Sequence, residues 1–171
     1  QDMIIFLKKM GSNINFIGKR KIVIIGTKNF QSVSHDVIFD RIELGTYLIA
    51  AALIGKKIII KRIKPRVIGA EIKLLKKMGV KIKLEKNKIT IFESGKLKST
   101  NIKTKPYPGF PTDLQAQIMV LMIRASGTSK ITESIFENRF MHVPELRRMG
   151  AKIIIKKNEA IISGPTNLSG A

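Results

Sequence analysis

The sequence predicts an α/β fold built from a repeated unit of about 70 residues, and two observations support this. First, three segments have the same ending, with Leu-Lys-Lys-Met-Gly at 7–11 and 75–79 and Leu-Arg-Arg-Met-Gly at 146–150. Their spacings are nearly equal, since 78 − 10 = 68 and 149 − 78 = 71. Basic residues suit the last turn of a helix, and a following glycine adopts the left-handed conformation easily. Each segment is therefore predicted to end a helix.

Second, an apolar run, a short polar turn and another apolar run follow each of these helix ends. β-branched runs interrupted by Asn, Gly and Lys are typical of β-hairpins. The predicted strand pairs are 14–16 with 22–25, 81–84 with 89–92, and 152–155 with 160–162.

Two longer helices are predicted upstream of the second and third helix ends. In the first of them, Asp40 is a candidate N-cap with Glu43 three residues further on, and the helix runs to Gly55. In the other, residues 112–115 fit a capping box, and the helix runs to about residue 125. A strand over 130–135 and a helix beginning near Pro144 complete this unit.

The composition indicates a globular protein without a metal or thiol site. Of the 171 residues, 44% are hydrophobic, yet the apolar runs are too short to span a bilayer and no signal peptide pattern opens the chain. Cysteine is absent, and the only histidines, His35 and His142, have no partner at ligand spacing. We therefore expect a cytoplasmic protein with no metal and no cofactor.

The formal charge of +20 raises the possibility of nucleic-acid binding. The lysines are dispersed over the polar positions of the predicted strands and helices, and aromatic residues make up only 6% of the chain. This distribution favours a solvated surface over a binding stripe. Specific nucleic-acid binding is thus the less favoured alternative, and no membrane contact is expected.

Asp113 is the first candidate for chemistry. It lies at a predicted helix start, where free amides and the helix dipole stabilise a carboxylate, and it follows a loop at 106–111 that holds three prolines and a glycine. A stiff loop beside an ionised acid is typical of a site wall. The alternative is that Asp113 is an ordinary acid in a first helical turn.

Arg139 is the second candidate. Flanked by Phe136 and Phe140, it is placed to act as a shielded fork for a carboxylate. The alternative is a surface arginine that pairs with Glu137 or Glu145.

Asp40, Arg41 and Glu43 form a further motif. We interpret it mainly as an N-cap with its acid and a local ion pair. Because residues 26–38 before it are polar and rich in turn formers, the motif is also consistent with a crossover between domains.

Together these segments resemble one family on nearly the whole chain, with the motifs DRIELGT at 40–46, PYPGFPTDLQAQ at 106–117, FENRFMHVPEL at 136–146 and LSGA at 168–171. The family is that of UDP-N-acetylglucosamine 1-carboxyvinyltransferase, the enolpyruvyl transferase that catalyses the first committed step of peptidoglycan synthesis. The resemblance implies an inside-out α/β barrel of repeated βαβαββ units. It further implies that residues 1–30 close one domain, that 31–38 cross over, and that 39–171 supply two repeats of the other domain, at about 39–97 and 98–165.

The resemblance also implies a reaction and a set of site residues. Phosphoenolpyruvate would donate its enolpyruvyl group to the 3-hydroxyl of UDP-N-acetylglucosamine, with Asp113 as the general base. Arg139 would contact the enolpyruvyl substrate. Ile135 and Phe136 match positions that line the UDP-sugar pocket, although from the residues alone they are equally good core residues.

Other motifs of that family are not found in this sequence: an N-terminal Lys-Asn pair, a mobile loop with a Cys or Asp acid, and a late arginine. We therefore expect these residues to be an internal to C-terminal part of a longer protein, inactive without the missing N- and C-terminal segments. Two further alternatives stay open, the related shikimate-pathway enolpyruvyl transferase and a noncatalytic remnant.

Overall fold

The computed structural model describes residues 2–18 and 21–170 of the chain. These residues form two compact units, Gln1–Phe39 and Asp40–Ala171. The two predicted turn positions at Lys19 and Arg20, and Ala171 of the last motif, lie outside the described residues.

The first unit is a helix followed by a hairpin. Helix α1 (Asp2–Lys9) precedes the antiparallel strands β1 (Asn13–Ile17) and β2 (Lys21–Ile25), as predicted. Ile14 of β1 is buried, whereas most other apolar side chains of the hairpin are exposed.

The second unit contains two repeats, each with one sheet. The first repeat comprises α2 (Arg41–Ile54), β3 (Ile58–Lys61), a 3₁₀ turn (Pro65–Ile68), α3 (Gly69–Lys77), β4 (Ile82–Glu85) and β5 (Lys88–Ile91). The second comprises β6 (Asn101–Lys103), a 3₁₀ turn (Thr112–Leu114), α4 (Gln115–Ile123), β7 (Gly127–Thr132), α5 (Val143–Arg148), β8 (Lys152–Lys156) and β9 (Glu159–Gly164). The sheet orders are β3-β5-β4 and β6-β7-β9-β8, and only the β6–β7 pair is parallel.

Strand register shows that the sequence repeat is also a structural repeat. In the first repeat Ile60 pairs with Ile89, and adding 71 to both numbers gives Ile131 and Ala160, which pair in the second repeat. The pairing of β4 with β5 and that of β8 with β9 are related by the same offset of 71, since Ile82 pairs with Ile91 and Ile153 with Ile162. A position in one repeat can therefore be compared directly with the position 71 residues away.

The three predicted helix ends are confirmed. Gly11, Gly79 and Gly150 all adopt positive φ, at 104°, 94° and 100°. The residue after each glycine donates its amide to the carbonyl of the leucine that opens the motif, at 3.0, 3.0 and 2.9 Å. These bonds satisfy carbonyls that a helix end would otherwise leave free.

The core of the second unit lies between α2 and α4. The α4 helix is apolar from Ile118 to Ile123, and Ile118, Met119 and Leu121 are completely buried. A Cβ built on Gly45 of α2 would overlap the side chain of Leu114, so glycine lets the two helix starts approach closely. In the described part of the chain, no helix is long and apolar enough to cross a membrane.

Two local predictions are wrong. The strand predicted over 130–135 ends at Thr132, because Glu133 turns inward and its carboxylate accepts the amides of Ile135 and Phe136. The capping box at 112–115 does not form: the Thr112 hydroxyl donates to Glu133, and its oxygen accepts from Arg139 Nε instead of from a backbone amide of the helix start. Among the described residues, no side chain caps α4.

Candidate active site

The two sequence candidates, Asp113 and Arg139, meet in the structure. Asp113 lies in the 3₁₀ turn ahead of α4, and Arg139 lies in the segment between β7 and α5. Arg139 Nη2 donates to Asp113 Oδ1 at 2.6 Å, and the two side chains are 39% and 57% exposed. Arg139 therefore pairs across the fold, 26 residues away, and not with a neighbouring glutamate; Glu145 pairs with Arg148.

A buried carboxylate, Glu133, organises this site. It is 2% exposed and accepts hydrogen bonds from the hydroxyls of Thr104 (2.7 Å) and Thr112 (2.8 Å). The Thr112 oxygen in turn accepts from Arg139 Nε at 3.3 Å. A chain of hydrogen bonds thus runs from the core to the exposed ion pair.

Glu133 is ionised in this setting. Burial raises the pKa of the carboxyl, but the hydrogen bonds from Thr104, Ile135, Thr112 and Phe136 together lower it more, so its pKa lies below the ordinary value of 4.5. The sequence offered one signal for this residue, because Glu133 alternates with Ile131 and Ile135 and so takes an inward position in the strand predicted over 130–135. Our sequence reasoning missed it.

The loop at 106–111 leads directly to Asp113 and is closed by its own backbone. Gly109 donates its amide to Pro106 at 2.8 Å, and Lys105 donates to the carbonyl of Phe110 at 2.9 Å. A Cβ on Gly109 would lie 2.5 Å from Lys105 Cβ, so this turn requires glycine. Because Phe110 is buried, the loop is anchored at its end next to the Asp113 turn.

A cleft of about 920 Å³ lies between the segment after β7 and the β8–β9 turn. It is lined by Glu133, Ser134, Ile135, Phe136, Glu137, Asn138, Arg139, Phe140, Met141, Ile155, Lys157 and Asn158. Three predicted substrate-binding residues, Ile135, Phe136 and Arg139, are therefore in its wall; Asp113 is not a lining residue but pairs with Arg139. The guanidinium carbon of Arg139 lies 5.4 Å from the centroid of the exposed Phe136 ring.

A family model described as EPSP synthase (3-phosphoshikimate 1-carboxyvinyltransferase) matches residues 1–171. The chain belongs to the EPSP synthase family. The crystal structure of the enolpyruvyl transferase NikO from Streptomyces tendae is similar to this chain, with a TM-score of 0.86 at 27% identity. That match covers 96% of this chain and 40% of NikO. EPSP synthase from Acinetobacter baumannii shares the fold, with a TM-score of 0.68 at 20% identity over 94% of this chain and 39% of that one.

Curated relatives within the EPSP synthase family are more similar in sequence. UDP-N-acetylglucosamine 1-carboxyvinyltransferase of Pelagibacter ubique (strain HTCC1062) is 54% identical over 171 residues, which is 100% of this chain and 41% of the relative. UDP-N-acetylglucosamine 1-carboxyvinyltransferase 1 of Clostridium acetobutylicum is 47% identical over 169 residues, 99% of this chain and 40% of the relative. The chain thus spans about 40% of the length of these relatives. The resemblance and the α/β fold class predicted from the sequence are confirmed.

Two other predicted features occupy defined places in this EPSP synthase family member. Asp40 caps α2, as predicted, by accepting the amides of Ile42 (2.6 Å) and Glu43 (3.3 Å). The prediction of a local ion pair for Arg41 is wrong. Arg41 Nη1 lies 3.8 Å from Oε1 of Glu71, which is on α3 and distant in sequence. Within the described ranges, no cluster of three or more His, Cys, Asp or Glu side chains could hold a metal ion.

His142 lies beside the site without entering its hydrogen-bond chain. Burial and the nearby positive charge of Arg139 both lower the pKa of its imidazole below 6.5. A neutral imidazole adds no positive charge there. Among the described residues, the basic side chains that line the cleft are Arg139, which pairs with Asp113, and Lys157.

Proposed function

We propose that these residues are part of a protein that transfers the enolpyruvyl group of phosphoenolpyruvate to the 3-hydroxyl of UDP-N-acetylglucosamine. This is the first committed step of peptidoglycan synthesis, so the protein would serve cell-wall biogenesis, cell shape and cell division in the cytoplasm. Support comes from membership of the EPSP synthase family and from relatives of 47–54% identity that bear this enzyme's name.

The observation that carries the proposal is the exposed Asp113–Arg139 pair, held at 2.6 Å above the buried Glu133 network. An aspartate side chain that is 57% exposed can be reached by a ligand whose proton it would accept. In the proposed reaction Asp113 accepts the proton of the sugar 3-hydroxyl while that oxygen attacks C2 of phosphoenolpyruvate. The methylene carbon gains a proton in the addition and loses one when phosphate leaves, which restores the double bond.

Arg139 has a different part in the proposal. Its guanidinium matches carboxylates and phosphates with two parallel donors. In the absence of substrate it pairs with Asp113, and a bound anionic substrate would compete for the same donors. Exchange of partners would free the Asp113 carboxylate at the moment when the base is needed.

Ile135 and Phe136 would form the wall against the UDP-sugar. Their position in the cleft follows from Glu133, which accepts both of their backbone amides, at 2.9 and 3.4 Å. Since Phe136 is 58% exposed, its ring is available to a ligand. We assign the acid that protonates the methylene carbon to a segment beyond these residues.

A second candidate substrate is 3-phosphoshikimate, which the description of the family model names. The identities favour the UDP-sugar, since the relatives named for it reach 54%, whereas the solved EPSP synthases reach 20% and 15%. The UDP-sugar is therefore proposed over 3-phosphoshikimate on sequence similarity, because proteins named for either substrate share this fold.

We also propose a domain arrangement. Residues 1–30 would close one domain, 31–38 would form the crossover, and 39–171 would supply repeats of about 39–97 and 98–165 to the other. The missing N- and C-terminal segments of the same polypeptide would then be partners of this region, and these 171 residues alone would not turn over substrate.

The test is phosphate release by the complete polypeptide encoded with these residues, supplied with phosphoenolpyruvate and either UDP-N-acetylglucosamine or 3-phosphoshikimate. The proposal predicts release with the UDP-sugar and none with 3-phosphoshikimate. Release with 3-phosphoshikimate alone would move the protein to the second candidate. Absence of release with both, from a folded polypeptide, would indicate a noncatalytic remnant.

A further inference from the structure

Arg41 occupies a position that is unfavourable for a cation. It is the first residue of α2, where the amides and the helix dipole carry partial positive charge. The Asp40 cap fixes the backbone of this turn through the amides of Ile42 and Glu43. Since the local sequence does not favour a guanidinium here, contacts from elsewhere in the fold must compensate for it.

Two such contacts are present, and both come from distant parts of the chain. The guanidinium carbon lies 5.0 Å from the centroid of the Tyr107 ring, within the range of a cation–π interaction. Arg41 Nη1 also lies 3.8 Å from Oε1 of Glu71, whose side chain is only 3% exposed. Among the described residues, neither of these two atoms has a hydrogen-bond partner, so charge attraction and the ring hold Arg41.

Tyr107 belongs to the loop at 106–111, which leads into the turn that carries Asp113. Tyr107 is 60% exposed, and its ring lies against the Arg41 guanidinium, so this contact links that side of the loop to α2. The helices on which this link depends are well fixed. Gly45 of α2 leaves no gap to Leu114, and Gln117 of α4 donates to Thr46 of α2 at 3.2 Å.

We propose that Arg41 is a positioning residue that stacks on Tyr107, with Glu71 as counter-ion, and so fixes the loop that places Asp113. The expected effect on catalysis rests on the proposed function, whereas the expected effect on the loop rests on geometry alone. Arg41 acts through Tyr107 and the loop, and does not touch the reacting atoms.

The test compares Tyr107→Leu, which removes the aromatic face, with Tyr107→Phe, which keeps it. Both variants are made in the complete polypeptide. Because Tyr107 is exposed, its substitution leaves the core intact. Amide hydrogen exchange is measured at Lys105 and Gly109, whose amides close the loop. Turnover, KM for UDP-N-acetylglucosamine and the melting temperature are measured on the same samples.

For Tyr107→Leu, exchange at the two amides should be about two- to fivefold faster, the factor that loss of an exposed cation–π contact produces. Its kcat should fall about tenfold with KM changed less than about twofold, because the base is misplaced and binding is not. Tyr107→Phe should match the unmodified protein in exchange, kcat, KM and melting temperature. Arg41→Lys, which keeps the charge near Glu71 but loses the flat guanidinium, should reproduce Tyr107→Leu.

Unchanged exchange and unchanged kcat in Tyr107→Leu would overturn the inference, as would a lower melting temperature with kcat intact, which indicates a purely structural contact. Loss of kcat in Tyr107→Phe as well would overturn it too, because the hydroxyl rather than the ring face would then be required. If the unmodified polypeptide has no turnover, the proposed function fails, and the exchange data still decide whether Arg41 holds the loop.

Discussion

In each repeat of the second unit, an ion pair joins the start of the first helix to the second helix or to the segment that precedes it. The two ion pairs differ in how exposed their side chains are. In the first repeat Arg41 faces Glu71, whose side chain is 3% exposed, at 3.8 Å. In the second repeat Asp113 and Arg139 meet at 2.6 Å with 57% and 39% exposure. The position 71 residues after Arg41 is Thr112, the neighbour of Asp113. One duplicated framework therefore carries a pair with a buried carboxylate in the first repeat and an exposed pair, available to ligands, in the second.

The helix starts differ in the same sense. The carboxylate of Asp40 is committed to the amides of α2, whereas α4 begins without a side-chain cap among the described residues. Because Asp113 is not used as a cap, its carboxylate is left for Arg139 and for a substrate. By the offset of 71, Pro111 stands in the place of Asp40, so the second repeat lacks a side-chain cap two residues before its candidate base.

The clefts of the repeats also correspond. A cleft of about 840 Å³ in the first repeat lies beside the β4–β5 turn, as the 920 Å³ cleft lies beside the β8–β9 turn. Position 133 holds the buried Glu133 of the hydrogen-bond network, and the matching position holds Arg62 in a left-handed conformation, with φ of 62°. Clefts at matching places with different side chains indicate that the Glu133 network, and not the cleft, distinguishes the site.

The largest effect is expected at the open pair. Asp113→Asn should lower kcat of the complete polypeptide about 10²–10⁴-fold, since an amide cannot accept the proton. The matched control is Glu145→Gln, which makes the same change in an exposed pair with Arg148. Equal losses in the two variants, measured by phosphate release, would mean that position 113 has no special role.

The next largest effect is expected at Glu133. Glu133→Gln should lower the free energy of unfolding at pH 7 by about 2–4 kcal/mol, because at least one buried donor loses its charged acceptor. The folded pKa of Glu133 is lowered, so its stabilisation is present above the unfolded pKa and is lost as pH falls through the folded pKa. Urea unfolding at pH 7 and near pH 3 tests this, with the exposed Glu137→Gln as control. A pH-independent difference would contradict it.

A smaller effect is expected at the helix start of the first repeat. Asp40→Ala should destabilise the protein by about 1 kcal/mol through loss of the N-cap, and Asp40→Asn, which keeps a cap, by a few tenths at most. Thermal or urea unfolding of the two variants gives the comparison. If Ala and Asn cost the same, the two hydrogen bonds of Asp40 do not stabilise α2.

The smallest effect is expected at the buried pair. Burial raises the pKa of Glu71 above 4.5, so folding favours its protonated form, and the contribution of Glu71 to stability grows as pH falls through the folded pKa. Glu71→Gln should therefore be neutral or stabilising by up to about 1 kcal/mol at pH 7, with the gain absent at low pH. Destabilisation at pH 7 would show instead that the Arg41–Glu71 attraction outweighs the cost of burial.

The repeat was predictable from sequence because its signals are local. The glycine after each helix end, the three hairpins and the Asp40 cap depend on residues within a few positions of one another. Asp113 and Arg139 were also found, since proline, glycine and phenylalanine surround them. The Glu133 network and the Arg41–Glu71 pair were missed because they join residues about 20 to 30 positions apart, and propensity carries no information on such contacts. The false capping box has the same cause, because the Thr112 hydroxyl donates to Glu133 and accepts from Arg139.

If the Asp113–Arg139 pair is open to substrate while the Arg41–Glu71 pair is fixed, the two arginines should respond differently to ligands. The measurement is the NMR signals of the arginine Nε–H groups of the complete polypeptide during titration with UDP-N-acetylglucosamine and phosphoenolpyruvate. The Arg139 signal should move as its contact with Asp113 is exchanged for substrate, while the Arg41 signal should stay in place. A stationary Arg139 signal at saturating substrate, or equal movement of both signals, would contradict this expectation.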